Sequence, residues 1–243
     1  MLNLGNIFDD VLFRSGKDKI GGYITPDDFN IAWGPINQLY LTYLVNQFEQ
    51  TKQLSSDLRT LIKTRGNDLY PPITLNSYGR GEIPKDYRYH ARSQYTQWVN
   101  THCSATSQYR EVVFVSQAEF KNRMSTEIYW PDETEPIVCF ETDNTFLVRP
   151  VMPKFSLTYI RMAVTPYFDY DIISGIPVYL PPGEKHSNST VEPQGSLSLS
   201  VEPEYPQEAY PKLSIIMTAY FAIGNRSAFN VETIRTLLES TAA

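Results

Sequence analysis

The chain has 243 residues, 42% of them hydrophobic and 20% charged, with a formal net charge of −6. These values describe a globular protein of one or two domains and exclude a disordered chain. The acidic balance lacks the basic footprint of a tight nucleic-acid binder, although it suits a surface past which DNA slides without being held. Cys103 and Cys139 are the only cysteines, far apart and outside any paired motif, and with no secretory leader in the sequence both are expected as free thiols in an intracellular setting. No apolar run approaches the roughly 20 residues that cross a bilayer.

In chain order, Ile7, Val11, Leu12 and Phe13 predict a short helix before the polar run Arg14-Ser15-Gly16-Lys17. Tyr23-Ile24-Thr25-Pro26-Asp27-Asp28-Phe29-Asn30 then writes out a helix start: Thr25 caps, Pro26 fits the first helical position, and two aspartates sit at the positive end of the helix dipole. Behind it Phe29, Ala32, Trp33, Ile36, Tyr40, Leu44 and Phe48 recur at helical spacing. Gly34-Pro35 is expected to kink or split this helix. Its other face carries Asn30, Asn37, Gln38, Asn46 and Gln47 rather than Lys and Glu. A solvated face usually carries charge, so Asn37, Gln38, Asn46 and Gln47 are the candidate subunit-interface residues. A second helix starting at Ser55 or Ser56 is expected to complete a helical hairpin.

From Tyr87 the period falls to two, and strands are expected over 87–96, 111–115, 137–149 (a hairpin) and 156–161, with a short helix capped by Ser116. Residues 181–211 are rich in Pro and Ser and predict an extended segment that reaches a neighbouring subunit. Helical spacing returns at Leu213, Ile216, Met217 and Tyr220 and again at Val231, Ile234 and Leu238, with Gly224-Asn225 between. The expected fold is α+β: an N-terminal helical hairpin (1–68), a central, mostly antiparallel β domain (69–180), the extended segment (181–211), and C-terminal helices packed on the N-terminal ones (212–243).

Chemistry finds little purchase. His90, His102 and His186 lack metal-ligand spacing, Gly79-Arg80-Gly81 lacks the rest of a phosphate loop, and no catalytic, cofactor or metal site is expected. Asp132, Glu133 and Glu135 form an acidic run that reads as a solvated loop, as a channel-facing stretch or, less simply, as the carboxylates of a small hydrolase.

Taken together, the strand at Phe114, the helix Glu119-Phe120-Lys121-Asn122-Arg123-Met124-Ser125, Pro131, Pro136-Ile137, the hairpin, Pro150 and Leu157-Thr158-Tyr159-Ile160-Arg161 resemble, in that order, the head-to-tail connector (ring or adaptor) proteins of short-tailed, crAss-like bacteriophages. The opening Thr25-Pro26-Asp27-Asp28 and the closing Glu202, Tyr205-Pro206-Gln207-Glu208 resemble the same group. The resemblance implies a non-enzymatic virion protein at the head–tail junction, assembled in the bacterial cytoplasm. It also implies a closed ring of about twelve copies, stacked on the portal protein and other tail rings, with double-stranded DNA passing through. Another tail component is the alternative. The excess of 17 Tyr over 12 Phe suits extensive, partly wet contact surfaces.

Overall fold

The computed structural model describes residues 3–16, 24–51, 53, 55–66, 73–101, 104–142, 144–151, 155–187, 192–223 and 229–241. Cys103, His102 and the expected helix stop at Gly224-Asn225 lie outside them. The protein is α+β, with N-terminal helices, central antiparallel-rich sheets and C-terminal helices. It divides into two compact units: residues 1–60 with 163–243, and residues 61–162. The boundaries therefore differ from the four consecutive segments expected, because residues 163–211 fold with the helices and not with the sheet or as a separate arm.

In the first unit, α1 (Leu4–Ser15) is closed at its start by reciprocal Asn3–Asn6 side-chain bonds. Next, α2 (Pro26–Thr51) opens on the expected cap: the Asp28 N–H donates to Thr25 Oγ1 at 3.1 Å, while the Thr25 hydroxyl and N–H donate back to Asp28 Oδ2 at 2.7 and 3.2 Å. It runs unbroken through Pro35. The second helix of the expected hairpin is a 3₁₀ helix, Ser56–Leu61, cut short because strand β1 (Ile62–Arg65) of the other unit follows at once.

Phe8 of α1, Phe29 and Trp33 of α2, and Phe168 from the returning chain form one aromatic cluster. Ring centroids lie 5.0 Å apart for Phe8–Phe29, 4.8 Å for Phe8–Phe168 and 5.6 Å for Phe29–Phe168. Near this cluster stands a hairpin of β9 (Tyr170–Ile173) and β10 (Ile176–Tyr179), whose two-residue turn puts Ser174 and Gly175 at φ 55° and 82°. Both values are left-handed, which matches the twist of a tight hairpin. A 3₁₀ turn at Gln207–Ala209 leads into α4 (Tyr210–Ala222), and α5 (Val231–Thr241) closes the unit; α4 packs on α1 and α2, and α5 on α2.

The second unit holds two four-stranded sheets. One has the order β1-β8-β3-β4, with β3 Tyr87–Thr101, β4 Ser104–Glu111 and β8 Phe155–Arg161, all antiparallel. The other has the order β2-β7-β6-β5, with β2 Arg80–Glu82, β5 Val113–Phe114, β6 Ile137–Thr142 and β7 Thr145–Arg149; β5 joins it in parallel. The expected hairpin is β6–β7, and α3 (Gln117–Ser125) carries the Ser116 cap. Tyr95, Val138, Phe146, Phe155 and Tyr159 fill the core between them. Gly81 is required there, since a Cβ would lie 2.5 Å from the Phe146 ring.

Phe168 connects α1 and α2 to chain more than a hundred residues away. Phe168→Ala should therefore destabilise the protein by about 3–5 kcal/mol, read from urea unfolding followed by circular dichroism. A cost below about 1 kcal/mol would mean the returning chain is not part of this core.

Candidate assembly surfaces

Among the described residues the Pro/Ser-rich segment is extended as far as Pro206, where the 3₁₀ turn and α4 take over, and it lies on its own unit. Val201 bridges Tyr167 through paired main-chain bonds of 3.0 and 2.9 Å, and Leu197 lies opposite Lys185. Its alternation Ser196-Leu197-Ser198-Leu199-Ser200-Val201 has period two, but with the usual polarity reversed. The serines turn inward: the Ser198 and Ser200 hydroxyls donate to the Leu180 carbonyl at 2.8 and 2.7 Å, and Ser200 Oγ accepts the Asp169 N–H at 2.9 Å. Leu197 and Leu199 stand outside, 59% and 62% exposed. The turn end of the β9–β10 hairpin presents Ile173 and Ile176 in the same way.

This segment is locked by His186, whose side chain is fully buried between two aspartates. Its Nδ1 lies 2.7 Å from Asp171 Oδ1 and its Nε2 lies 3.1 Å from Asp169 Oδ2. Two carboxylates on two ring nitrogens require both nitrogens to donate, which is the imidazolium. Asp171 Oδ2 also accepts from the Ser187 N–H and hydroxyl, both at 2.8 Å, and Asp169 Oδ2 from the Leu199 N–H at 2.7 Å.

The hydrogen bond to Asp171, working against burial and aided by the bond to Asp169 and both charges, raises the imidazole above its ordinary 6.5. Burial pushes the Asp171 carboxyl up, but Ser187 and His186 outweigh it and hold the group below 3.8. A raised imidazole stabilises fully below pH 6.5 and loses that contribution as pH climbs through the folded value. A depressed carboxyl stabilises above 3.8 and loses its share as pH falls through the lower folded value. Urea midpoints of the wild type should therefore drop as pH rises from about 6 to about 9, and His186→Gln should flatten that slope. Parallel slopes in the two proteins would place the titration elsewhere.

The amide face of α2 divides in two. Asn37 is 6% exposed. Its Nδ2 donates to the Ala163 and Val164 carbonyls at 3.4 and 3.3 Å, and its Oδ1 accepts from the Tyr205 hydroxyl at 2.8 Å. Its assignment to a subunit interface is therefore corrected: the amide is consumed by two carbonyls and the Tyr205 hydroxyl inside its own unit. Gln38, Asn46 and Gln47 remain exposed. Asn46 and Gln47, with Gln50 and Gln53, wall a groove of about 430 Å³ whose other side is Val231, Glu232, Arg235 and Glu239 of α5. Amides offer donors and acceptors without charge, which suits a neutral, polar partner surface.

Asp132, Glu133 and Glu135 lie together in the exposed loop before β6. Asp132 Oδ1 accepts from the Thr134 hydroxyl (2.6 Å), the Thr134 N–H (2.7 Å) and the Glu135 N–H (3.0 Å), and these bonds hold its carboxyl below the usual range. The trio adjoins Ile128, Tyr129 and Trp130, large apolar side chains standing in solvent. Cys139 is a buried free thiol, and its burial raises its pKa.

The serine–leucine inversion was open to the sequence as a period-two run within 196–201, hidden by its polar composition. The His186 lock had no local signal beyond Asp169 and Asp171 two residues apart. No helix among the described residues is long and apolar enough to cross a membrane, and no group of three or more His, Cys, Asp or Glu among them is arranged to hold a metal ion. The sequence matches no protein-family model, and comparison with curated proteins gives no significant match.

Proposed function

We propose that the chain is a non-enzymatic structural subunit that assembles with copies of itself into a closed ring, the head-to-tail connector of a short-tailed bacteriophage, with DNA passing through. The observation that carries the self-assembly is the reversed Ser–Leu alternation that leaves Leu197 and Leu199 in solvent. A subunit meant to stand alone gains nothing from two leucines on the water side of a segment whose inner face is already satisfied by serine hydroxyls. The groove walled by Asn46 and Gln47 adds a polar contact of the kind found at interface rims. A net charge of −6 suits a conduit that does not bind its DNA. The resemblance in motif order supplies the phage setting and the ring's place against the portal.

The carboxylate-hydrolase alternative draws no support from Asp132. A general acid needs a raised pKa, and this carboxyl moves the other way.

Light scattering after size exclusion, with electron microscopy of the same fractions, tests the reading. The wild type should form closed rings well above the 27.9 kDa chain mass. Leu197→Asp with Leu199→Asp should give a folded monomer, because the replaced side chains are exposed and make little of the core. A wild type that stays monomeric, or a double variant that assembles normally, would overturn it.

A further inference from the structure

Residues 127–135 read Glu-Ile-Tyr-Trp-Pro-Asp-Glu-Thr-Glu, and their three large apolar side chains are the reverse of buried: Ile128 is 86%, Tyr129 67% and Trp130 56% exposed. A loop that exposes such residues by being slack would have few internal bonds. This one is braced along its length. A 3₁₀ turn spans Glu127–Tyr129, with the Tyr129 N–H donating to the Thr126 carbonyl at 3.1 Å and the Trp130 N–H to the Glu127 carbonyl at 3.4 Å. Pro131 is buried beneath the tip. On the far side the Tyr95 hydroxyl donates to the Glu133 carbonyl at 2.5 Å, and the Asp132 turn fixes Thr134 and Glu135.

Around the tip stand four exposed carboxylates, Glu127, Asp132, Glu133 and Glu135, and among the described residues none has an ion-pair partner. The nearest cation along the chain that faces an acid, Arg123, is engaged by Glu119 at 2.7 Å. A tryptophan and a tyrosine presented on a backbone already fixed by hydrogen bonds are the residue types enriched at binding hot spots, and the loop's ordering cost is reduced. The unpaired acidic ring then selects the partner. Anionic lipid headgroups and nucleic-acid phosphates are repelled by it, and membrane-docking aromatics are accompanied by Lys and Arg instead. What complements it is a protein surface that is apolar at the centre and basic at the rim.

We propose that residues 127–135 form a preformed acidic–aromatic knob that docks, by Tyr129 and Trp130, into an apolar pocket rimmed by Lys and Arg on a different protein. The knob assigns Asp132, Glu133 and Glu135 to a protein contact and not to the DNA path. It goes beyond the ring reading and does not depend on it, since the knob meets another protein whether or not the chain closes on itself.

The test uses the full chain and a fluorescently labelled amphipathic peptide of Leu and Lys, with its Leu and Glu counterpart as control, read by anisotropy. The Lys peptide should bind and weaken with added salt. Trp130→Ala and, separately, Glu133→Lys with Glu135→Lys should each weaken it by about tenfold or more, while thermal unfolding stays unchanged and the Glu peptide does not bind. Equal binding of both peptides, or indifference to Trp130→Ala, overturns the proposal. So does flotation with phosphatidylserine vesicles that Trp130→Ala abolishes, which makes the partner a membrane. A homo-oligomer that Trp130→Ala dissolves makes the partner a second copy and overturns it as well. Ring formation is scored separately on the same samples by mass, so loss of the ring with peptide binding retained, or the converse, tells the two readings apart.

Discussion

One unit of this protein is built from both ends of the chain, residues 1–60 and 163–243, and its stability depends on joining segments that sequence holds far apart. Apolar packing supplies the bulk attraction, while the geometric preference of each aromatic pair adds only about 0.5–1.5 kcal/mol. The register comes from buried and half-buried polar side chains. Asn30 donates to the Phe168 carbonyl at 2.9 Å and accepts the Phe168 N–H at 2.7 Å, so that one amide imitates a β-bridge. Asn37 takes the two carbonyls after the return and the Tyr205 hydroxyl. Asp57, buried, accepts from the Tyr40 hydroxyl at 2.8 Å and from Lys212 at 2.6 Å, which fixes α4 to the first sixty residues. Glu202 accepts the Leu4 N–H at 2.9 Å and the Tyr179 hydroxyl at 2.5 Å. Each such bond nets only about 1 kcal/mol, yet leaving any of these groups unpaired would cost more than making it gains, so a misaligned return is penalised at several points together.

The same demand explains the reversed Ser–Leu alternation. Along 196–201 the inner face meets a carbonyl from Leu180 and the backbone of Asp169, which call for hydroxyl donors and acceptors, not for methyl groups. Serine meets that need with the smallest side chain. Nothing in the interior dictates leucine on the alternate positions, where Thr or Lys would keep strand geometry and solubility. Leu197 and Leu199 thus have no cause inside the unit, which is why they weigh more in the functional reading than scattered exposed apolar residues elsewhere.

Features whose cause is local were legible in the sequence. Thr25 to Asp28, Ser116 to Glu119 and the 137–149 hairpin each carry their stop, start or turn chemistry within a few residues, and each stands where expected. Features decided by distant partners were not. Residues 62–65 look like a helix tail until Ile62 pairs with Ile160, almost a hundred residues on. Pro35 announces a kink or a split, but the helix that buries Trp33, Ile36 and Asn37 around it is not split and continues to Thr51 at the loss of one backbone bond. Asn37 and Asn46 are the same residue type on the same helix, and only the returning chain separates an internal strut from a surface amide. The prolines up to Pro206 excluded helix correctly, whereas residues 207–211 form a 3₁₀ turn and the first turn of α4, and composition cannot say which surface an extended segment lies on.

Charge constrains how any assembly of this chain can close. A subunit of net charge −6 meets its own copies against mutual repulsion, so a self-contact has to be uncharged where it is closest. Leu197 and Leu199 meet that condition, and the amides Asn46 and Gln47 meet it on one wall of a groove whose other wall carries Glu232, Arg235 and Glu239; the loop at 127–135, with four carboxylates around its aromatic tip, does not. Bringing two such tips together would set like charges side by side in a partly dry contact, at a cost that the tryptophan's buried area would have to exceed before any affinity appeared. A ring contact and a contact with a basic neighbour therefore belong on different surfaces, and in this protein the candidates for each lie in different compact units.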